Sequence, residues 1–458
     1  MPARYSLLLR LVLPACAIGL FAAGPAKGPL RVLESNPRFF TDGTGKAVFL
    51  AGSHIWHNFQ DNGHRLPQRQ DPPPAFDYKG YLDFLEARHH NFFRLWRWEA
   101  PQWTDAQPQG VVKFCEPHPW QRTGPGAARD GKPRFDLTRF DPVYFDRLRE
   151  RVRMAGDRGI YVSIMLFEGW GSQFTDAWSY HPFQRDNNVN GIDGDANGYY
   201  MLMDTAMGRK VLEFQEAYVR KAIDTVNGLD NVLYEICNES GSFSTKWQYH
   251  MIEFIRKVQA AKPKQHPVGM TFQWAGGRND TLFQSPADWI SPNRGEPPED
   301  YREAPPATFR GKVIVSDTDH LWGHTGGDAV WVWKSFTRGM NVLFMEELLP
   351  SPTWQDSARD GMGLARVWSG KIDLAHMVPA GELAETGYCL ANKGKEYLVF
   401  QTGNKGEFRV DLRDAQGTLS VEWINITTGK SQPGKPVNGG DRRTFTTPFG
   451  GPAAVHIK

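Results

Sequence analysis

Two acidic residues stand just beyond apolar segments of strand length and could perform acid–base chemistry together. Glu239 follows the segment 232–237 after one intervening residue, and Asp317 directly follows the segment 312–316. When parallel strands close into a barrel, their carboxyl ends converge on one cavity. Hydrolysis of a glycosidic bond requires two such carboxyl groups, one protonated and one ionised. The spacing therefore predicts a pair of acids that face each other across a barrel mouth.

The two acids are expected to take different roles, because mutual repulsion and partial burial separate their pKa values. One of the two, Glu239 or Asp317, would donate a proton to the leaving oxygen, and the other would attack the anomeric carbon. A carboxyl separation of roughly 5 to 5.5 Å would give retention, whereas about 6.5 Å or more would give inversion. A Glu239 carboxylate bonded only to loop amides is the purely structural alternative. Further candidates for the nucleophile are Asp319, Glu346, Glu347 and Glu168.

The elements that must position these acids follow one repeated order along the chain. Eight apolar segments of strand length alternate with stretches of helical spacing. This order is typical of a parallel sheet, and eight units indicate an α/β fold closed into a (β/α)8 TIM barrel. We expect the barrel to occupy residues 29–370. The predicted strands are 47–54, 91–98, 160–167, 232–237, 268–273, 288–291, 312–316 and 341–345.

Long insertions interrupt the barrel pattern on the side where strands lead into helices. They cover residues 100–139, residues 169–208, and residues 275–288 together with 292–309. Loops on this side surround the active face of a barrel, so we expect the insertions to shape a cleft.

The second insertion carries the first half of a calcium-loop pattern. The closing acid of that pattern is missing, because Asn197 stands at the twelfth position. A hydrogen-bonded, Asn-rich turn is therefore favoured over a bound calcium ion. The matching residues are Asp186, Asn188, Asn190, Gly191 and Asp193.

The pattern of polar and apolar residues changes near residue 387. Short segments that alternate in polarity are separated by Gly and Asn turns, which predicts a small antiparallel β-sandwich over residues 385–458. This region holds no cluster of catalytic residue types. The predicted strands are 396–401, 407–412, 419–424, 443–447 and 453–457.

The first 26 residues have the layout of a secretory signal peptide, with basic residues beside an apolar run and small residues after it. We therefore expect a secreted or periplasmic protein, and lipoprotein anchoring through Cys16 is disfavoured. No later stretch is apolar enough to span a membrane. With 53 basic and 51 acidic residues, the formal charge of +2 argues against nucleic acid or an anionic membrane as a partner.

Three segments give the chain a resemblance to a known group of enzymes. The stretches "NFFRLW", "YEICNES" and "VIVSDTDH" resemble the second, fourth and seventh strands of clan A retaining glycoside hydrolases, including apiosidase-like relatives. The resemblance implies that Glu239 is the acid/base, that Asp317 takes the position of the nucleophile, and that Arg94 hydrogen-bonds the nucleophile. The usual nucleophile there is Glu, whereas this strand offers only Asp. The appended domain of such relatives is named for collagen binding, which nothing in this sequence supports.

Other residues are expected to support the two acids and to bind a carbohydrate substrate. Asn238 would bond the sugar 2-hydroxyl. The sequence holds 16 Trp, whose flat faces stack on sugar rings, and the favoured stacking residues are Trp274 and Trp322. The histidines that could bond a hydroxyl or orient a carboxylate are His54, His57 and His320.

Two other functions are weighed against glycoside hydrolysis. A metal-dependent hydrolase would use His320 and His324, but the residues between them are poor helix formers and no HExxH motif occurs. A non-catalytic carbohydrate-binding barrel would bind sugar without turnover. Neither a metal nor an organic cofactor is expected.

Overall fold

The computed structural model describes residues 24–64, 70–104, 111–194, 201–346, 353–403 and 406–458. Most of the predicted signal peptide therefore lies outside the described residues, as do Glu347 and Asn197. Across the described ranges, no helix combines the length and the apolar character needed to cross a membrane.

Eight parallel strands form the central barrel, and each is hydrogen-bonded to its sequence neighbour from β2 through to β8. β8 then pairs with β1, with Val342 opposite Ala51 and Met345 opposite His54. The predicted (β/α)8 barrel is confirmed. The strands are β1 Ala51–His54, β2 Phe92–Leu95, β3 Tyr161–Glu168, β4 Val232–Asn238, β5 Val268–Thr271, β6 Trp289–Ser291, β7 Val313–Asp317 and β8 Asn341–Met345.

β1 and β2 complete the ring through a close backbone approach. The Asn91 N–H donates to the Ala51 carbonyl at 2.9 Å, and the Asn91 side-chain oxygen accepts from the Ala51 N–H at 2.9 Å. Gly52 is required here, because a Cβ at this position would lie 2.0 Å from the Phe92 carbonyl oxygen. The lack of a side chain thus allows the two strands to meet.

The helices cover the outside of the barrel, and several of them begin at side-chain caps. Asp141 accepts from the Val143 N–H in front of a helix that starts with proline, and Thr205 accepts from the Gly208 N–H. The main helices are α1 Tyr78–Ala87, α2 Pro142–Gly156, α3 Ala206–Val226, α4 Thr245–Ala260, α5 Asn279–Gln284, α6 Ala329–Thr337 and α7 Thr353–Ser369. Short helical turns are Trp170–Phe174, Ala177–Tyr180, Arg185–Asn187, Ser242–Ser244, Thr318–Trp322 and Gly381–Leu383.

The insertion after β2 is folded into β-structure, which the sequence analysis treated as loop. Two of its strands, Gln102–Thr104 and Val112–Glu116, join Asp61–His64 in a three-stranded antiparallel sheet that we call the wall sheet. The other two, Trp120–Ala127 and Pro133–Phe140, form a hairpin. The first two strands are short, with three and five residues, and the hairpin strands contain Pro or Gly. Their alternation is therefore too weak to identify them from sequence alone.

The C-terminal region is a β-sandwich, as predicted. Its larger sheet packs on the barrel helices, with the Phe400 ring 6.1 Å from Trp333 and the His456 ring 5.8 Å from Trp368. The larger sheet contains, in order, Val378–Pro379, Cys389–Asn392, Glu396–Gln401, Ala453–Ile457, Val421–Asn425 and Ser431–Pro433. The facing strand pairs are Glu407–Asp411 with Arg442–Thr446, and Thr418–Leu419 with Val437–Asn438.

A short hairpin, Arg31–Val32 paired with Phe40–Thr41, precedes the barrel. Leu30 and Phe40 pack there with barrel residues such as Leu50 and Phe92. The cysteines of the described residues, Cys115, Cys237 and Cys389, are buried free thiols.

Candidate active site

Glu239 stands immediately beyond β4, where the chain leaves the strand in an unusual conformation. Its φ is +47°, a left-handed value that side-chain-bearing residues seldom adopt. Such strain persists only where surrounding contacts hold it, and it is concentrated at functional sites. One such contact is the Gln173 side chain, which donates to the Glu239 carbonyl at 2.9 Å. Glu239 is 6% exposed and lines a cavity at this end of the barrel.

Arg94 of β2 connects the acidic residues beneath this cavity. Its fully buried guanidinium donates two hydrogen bonds to Glu235, at 2.8 and 2.5 Å. The Nη1 group donates to Asp317 at 3.1 Å and to Asp319 at 3.0 Å. The Nη2 group also donates to the Asn238 side-chain oxygen at 2.7 Å. A planar guanidinium suits this role because its donors point in fixed directions.

The carboxylate of Asp317, the last residue of β7, contacts several polar groups. His54 Nε2 lies 3.2 Å from Oδ1, which also accepts the Asp319 N–H at 3.0 Å. Burial alone would raise the pKa of Asp317, but the charge and hydrogen bond of His54, followed by the charge of Arg94, lower it below its ordinary value. The carboxylate therefore stays ionised. Asp317 is buried and is absent from the cavity lining.

Asp319 lies in the helical turn Thr318–Trp322 and does line the cavity. Burial raises its pKa, the charge of Arg94 opposes that change, and the charge of Asp317 adds to it. The net shift is upward. Asp319 is only 3% exposed, but it lies on the cavity wall and is anchored by Arg94, as a reacting carboxylate must be.

Glu239 has the more strongly perturbed carboxyl group. Burial raises its pKa well above the ordinary value, and the charges of Asp319 and then Glu168 raise it further. The charge of Arg94 opposes this shift without reversing it. A carboxyl group in this environment holds its proton to higher pH, as a general acid must.

The cavity has a volume of about 500 Å³ and a largely aromatic wall. The Trp98 and Trp103 rings stack with centroids 4.5 Å apart, and Trp170 meets Trp98 edge-on at 6.3 Å. Such faces suit the C–H surfaces of a sugar ring. The other lining residues are Trp56, His57, Asn62, Gly63, His64, Trp96, Lys113, Asn238, Glu239, Asp319, Gly323, His324 and Met345.

The predicted histidines are placed at different depths. His57 lines the cavity, whereas His54 is buried below it against Asp317. His320 is also buried, and its Nδ1 lies 2.8 Å from the Ser291 hydroxyl. Burial lowers the pKa of His320 to about 3, so its ring is neutral. Of the three predicted histidines, His57 lines the cavity, and His54 and His320 do not.

The two favoured stacking tryptophans do not line the cavity. Trp274 is exposed in the loop after β5, and Trp322 packs edge-on against Trp331 at 5.5 Å. The Arg302 guanidinium lies over the Trp322 ring at 5.3 Å. The aromatic wall comes instead from the segments that follow β1, β2 and β3.

The remaining acidic candidates are engaged elsewhere. Glu346 forms a buried ion pair with Arg359 of α7. Glu168 accepts from the backbone N–H groups of Trp170 and Gly171, and burial raises its pKa to about 8. Neither carboxyl group lines the cavity.

The calcium-like stretch forms a tight hydrogen-bonded turn. The Asn188 amide donates to the carbonyls of Pro182, Gln184 and Ile192, and its oxygen accepts the Ile192 N–H. Among the residues that the structure describes, no three His, Cys, Asp or Glu side chains form a metal-binding cluster.

Sequence reasoning missed two contributors to the site. Glu235 anchors Arg94, and a charged residue in the middle of the apolar strand β4 was the available signal. Trp103 forms part of the cavity wall, but it comes from the wall sheet, whose strands were not recognised.

Solved structures with the same overall fold include glycoside hydrolases. A glycoside hydrolase family 5 structure from Bacteroides vulgatus ATCC 8482 is 14% identical with a TM-score of 0.58, and 95% of each chain is covered. A second structure from that organism, described as a candidate glycoside hydrolase, has a TM-score of 0.61 at 13% identity, covering 94% of this chain and 82% of its own. A third, named as a glycoside hydrolase, has a TM-score of 0.56 at 12% identity and covers 94% and 96%.

The likeness is one of fold. No protein-family model matches the chain, and no curated protein matches it.

Proposed function

We propose that the protein is a glycoside hydrolase that acts by a retaining double displacement. Glu239 is the acid/base and Asp319 is the nucleophile. The observation that carries the proposal is that both carboxyl groups line one cavity with a tryptophan wall at the carboxyl ends of β4 and β7. The barrel neighbours described as glycoside hydrolases support the same reaction class.

The nucleophile proposed here differs from the one that the sequence favours. Asp317 is buried and contacts His54, Arg94 and the Asp319 N–H, whereas Asp319 faces the cavity. An Asp at the end of β7 would fall about one methylene short of a Glu. The helical turn after β7 carries Asp319 beyond the strand end, which offsets its shorter side chain. Asp317 then acts as a positioning residue that keeps Arg94 and the turn in place.

The reaction follows from these assignments. Glu239 donates its proton to the leaving oxygen while Asp319 attacks the anomeric carbon and forms a glycosyl-enzyme ester. Glu239, now ionised, removes a proton from water, which attacks the same carbon and releases Asp319. Asn238 would bond the sugar 2-hydroxyl, since it lines the cavity beside Glu239. We propose that this activity is carried out outside the cytoplasm, because the first 26 residues have the layout of a signal peptide.

The test starts with a screen of 4-nitrophenyl glycosides of pentoses, including apiose, and of hexoses, beside plant pectin fragments. On a substrate that is cleaved, Asp319→Gly should lose turnover and regain it with azide, giving a glycosyl azide of inverted configuration. Glu239→Gly should give the retained azide. Asp317→Asn should lose activity without azide rescue, because it removes no attacking group.

Three outcomes would contradict these assignments. Azide rescue of Asp317→Gly but not Asp319→Gly would make Asp317 the nucleophile. Full activity of Glu239→Gln on poorly activated substrates would remove Glu239 from the mechanism. Sugar binding by the wild type without hydrolysis of any substrate would indicate a carbohydrate-binding barrel.

A further inference from the structure

We propose that the sugar bound in this cavity carries a carboxylate, as a uronic acid does, and that Lys113 binds that group. This inference rests on the proposed function, because it concerns the same cavity. It identifies an anionic saccharide as the substrate class.

Lys113 lies in the middle of the wall sheet, at the cavity side of that sheet. His64 stands opposite Lys113 on one neighbouring strand, and Trp103 stands opposite it on the other. Residues directly opposite in antiparallel strands place their side chains on the same face. All three residues line the cavity. They form one cross-strand row of an imidazole, an ammonium group and an indole.

Within the described part of the chain, the Lys113 ammonium has no acidic partner. Two acidic residues of the wall sheet pair with other cations: Glu116 pairs with Lys132, and Asp61 pairs with Arg147. Lys113 is the sole lysine or arginine on the described cavity lining. The two acids of that lining, Glu239 and Asp319, are required for the reaction.

The neighbouring imidazoles complete a site for an anion. His64 Nδ1 is buried and has no hydrogen-bond partner among the described residues. Burial lowers the pKa of His57, and the charge of Lys113 lowers it further. His57 is therefore neutral and available as a hydrogen-bonding group. Among the described residues, one cation on the cavity wall thus has no acidic partner, and the imidazoles of His57 and His64 stand beside it on the same wall.

A uronic acid matches this row in both charge and shape. Its carboxylate would accept a charge-assisted hydrogen bond from Lys113, and its ring would lie against the stacked Trp103 and Trp98. A neutral sugar of the same shape would leave the ammonium group without a counter-charge in a partly closed cavity. The site should therefore prefer the acid over the matched neutral sugar.

The test measures binding by calorimetry in low-salt buffer at neutral pH, using pairs that differ only in the carboxylate. The probes are glucuronic acid with glucose, and trigalacturonic acid with galactotriose. The wild type should bind the acidic member of at least one pair roughly tenfold more tightly or better. Lys113→Met should reduce that preference by roughly 10- to 100-fold, while Lys113→Arg should retain most of it. Lys435→Met, an exposed change in the β-sandwich, is the matched control.

The wild-type protein provides a second measurement that needs no variant. Raising the salt concentration should weaken binding of the acidic sugars and leave that of the neutral sugars nearly unchanged. Equal binding of both members of each pair, or binding of neutral sugars alone, would overturn the inference. Hydrolysis of neutral glycosides alone would also overturn it while leaving the proposed function intact. Absence of hydrolysis for every glycoside would instead count against the proposed function.

Discussion

Arg94 balances more negative charge than its single positive charge can neutralise. It contacts Glu235, Asp317 and Asp319, and its charge also reaches Glu239. Its own pKa is raised, because the charges of these carboxylates outweigh the effect of burial. Burial, together with this excess of negative charge, explains why the carboxyl group of Glu239 holds a proton. Asp319 differs from Glu239 because Arg94 hydrogen-bonds it directly.

Asp317→Asn is expected to destabilise the fold as well as the reaction. The change removes the carboxylate that contacts His54 and one of the three that contact Arg94, which keeps Glu235 and Asp319, so the cost should be about 1.5–3 kcal/mol. Urea unfolding at neutral pH, monitored by tryptophan fluorescence, should show this loss. An equal loss for Asp130→Asn, whose partner Arg122 is nearer the surface, would argue against a special role for Asp317.

The difference in unfolding free energy between the wild type and Asp317→Asn should depend on pH in a definite direction. Because the pKa of Asp317 is lower in the folded state, its ionised form contributes stability above the unfolded pKa of about 3.9. That contribution is lost as the pH falls through the folded pKa. The stability difference between wild type and Asp317→Asn should therefore be constant near neutral pH and decrease in acid.

The raised pKa of Glu239 predicts the alkaline limit of activity. The rate should fall as the pH rises through that pKa, because the general acid loses its proton. The rate should fall in acid as Asp319 becomes protonated. Glu239→Gln, assayed on an aryl glycoside with a good leaving group, should lose the alkaline limb from the kcat/KM profile. If the alkaline limb persists unchanged in Glu239→Gln, the ionisation of another group causes it.

At the scale of elements, the cavity wall depends on strands inserted between β2 and α2. Trp103→Ala removes a stacking surface, so KM on a cleaved glycoside should rise about tenfold with a smaller change in kcat. Trp274→Ala is the matched control, because Trp274 is exposed and does not line the cavity. A larger effect at Trp274 than at Trp103 would place the bound sugar outside this cavity.

Periodicity in the sequence predicted the barrel well, because each strand is buried on both sides and stands between amphipathic helices. The segment 341–345 has the same bounds in the structure as in the prediction. The wall sheet was missed because its strands pair only with one another and are mostly half-buried. Its stability comes from contacts distant in sequence, which no local pattern records.

The placement of the two aspartates shows a second limit of sequence reasoning. Side chains two residues apart on a strand share a face, so Asp317 and Asp319 were expected on the same side if β7 continued. β7 instead ends at Asp317, whose side chain caps the helical turn by accepting the Asp319 N–H. The change from strand to helix sends the second carboxylate to the cavity. The position at which a strand ends is the feature that a sequence predicts least accurately.

At the scale of the whole molecule, the β-sandwich covers part of the barrel's apolar surface. Leu398, Phe400 and Ile424 belong to the same core as Trp333 and Trp368 of the barrel helices. A chain that ends at residue 376 should therefore expose an apolar face and aggregate. Light scattering during expression and purification would show this, and a monodisperse, active barrel would contradict it.

A matched pair of substitutions distinguishes the contact between the β-sandwich and the barrel helices from the core of the sandwich itself. Phe400→Ala removes a ring packed against Trp333, and Phe408→Ala removes one packed within the sandwich against Trp423 and Phe445. Each should cost about 3–5 kcal/mol. Only Phe400→Ala should lower the temperature at which the barrel loses its activity.

The three buried thiols have a practical consequence for making the protein. Burial raises the pKa of Cys115, Cys237 and Cys389, so none of them offers a reactive thiolate. No covalent cross-link joins the described segments, and their assembly requires no oxidant. A leaderless version should thus mature in a reducing bacterial cytosol as readily as in an oxidising compartment.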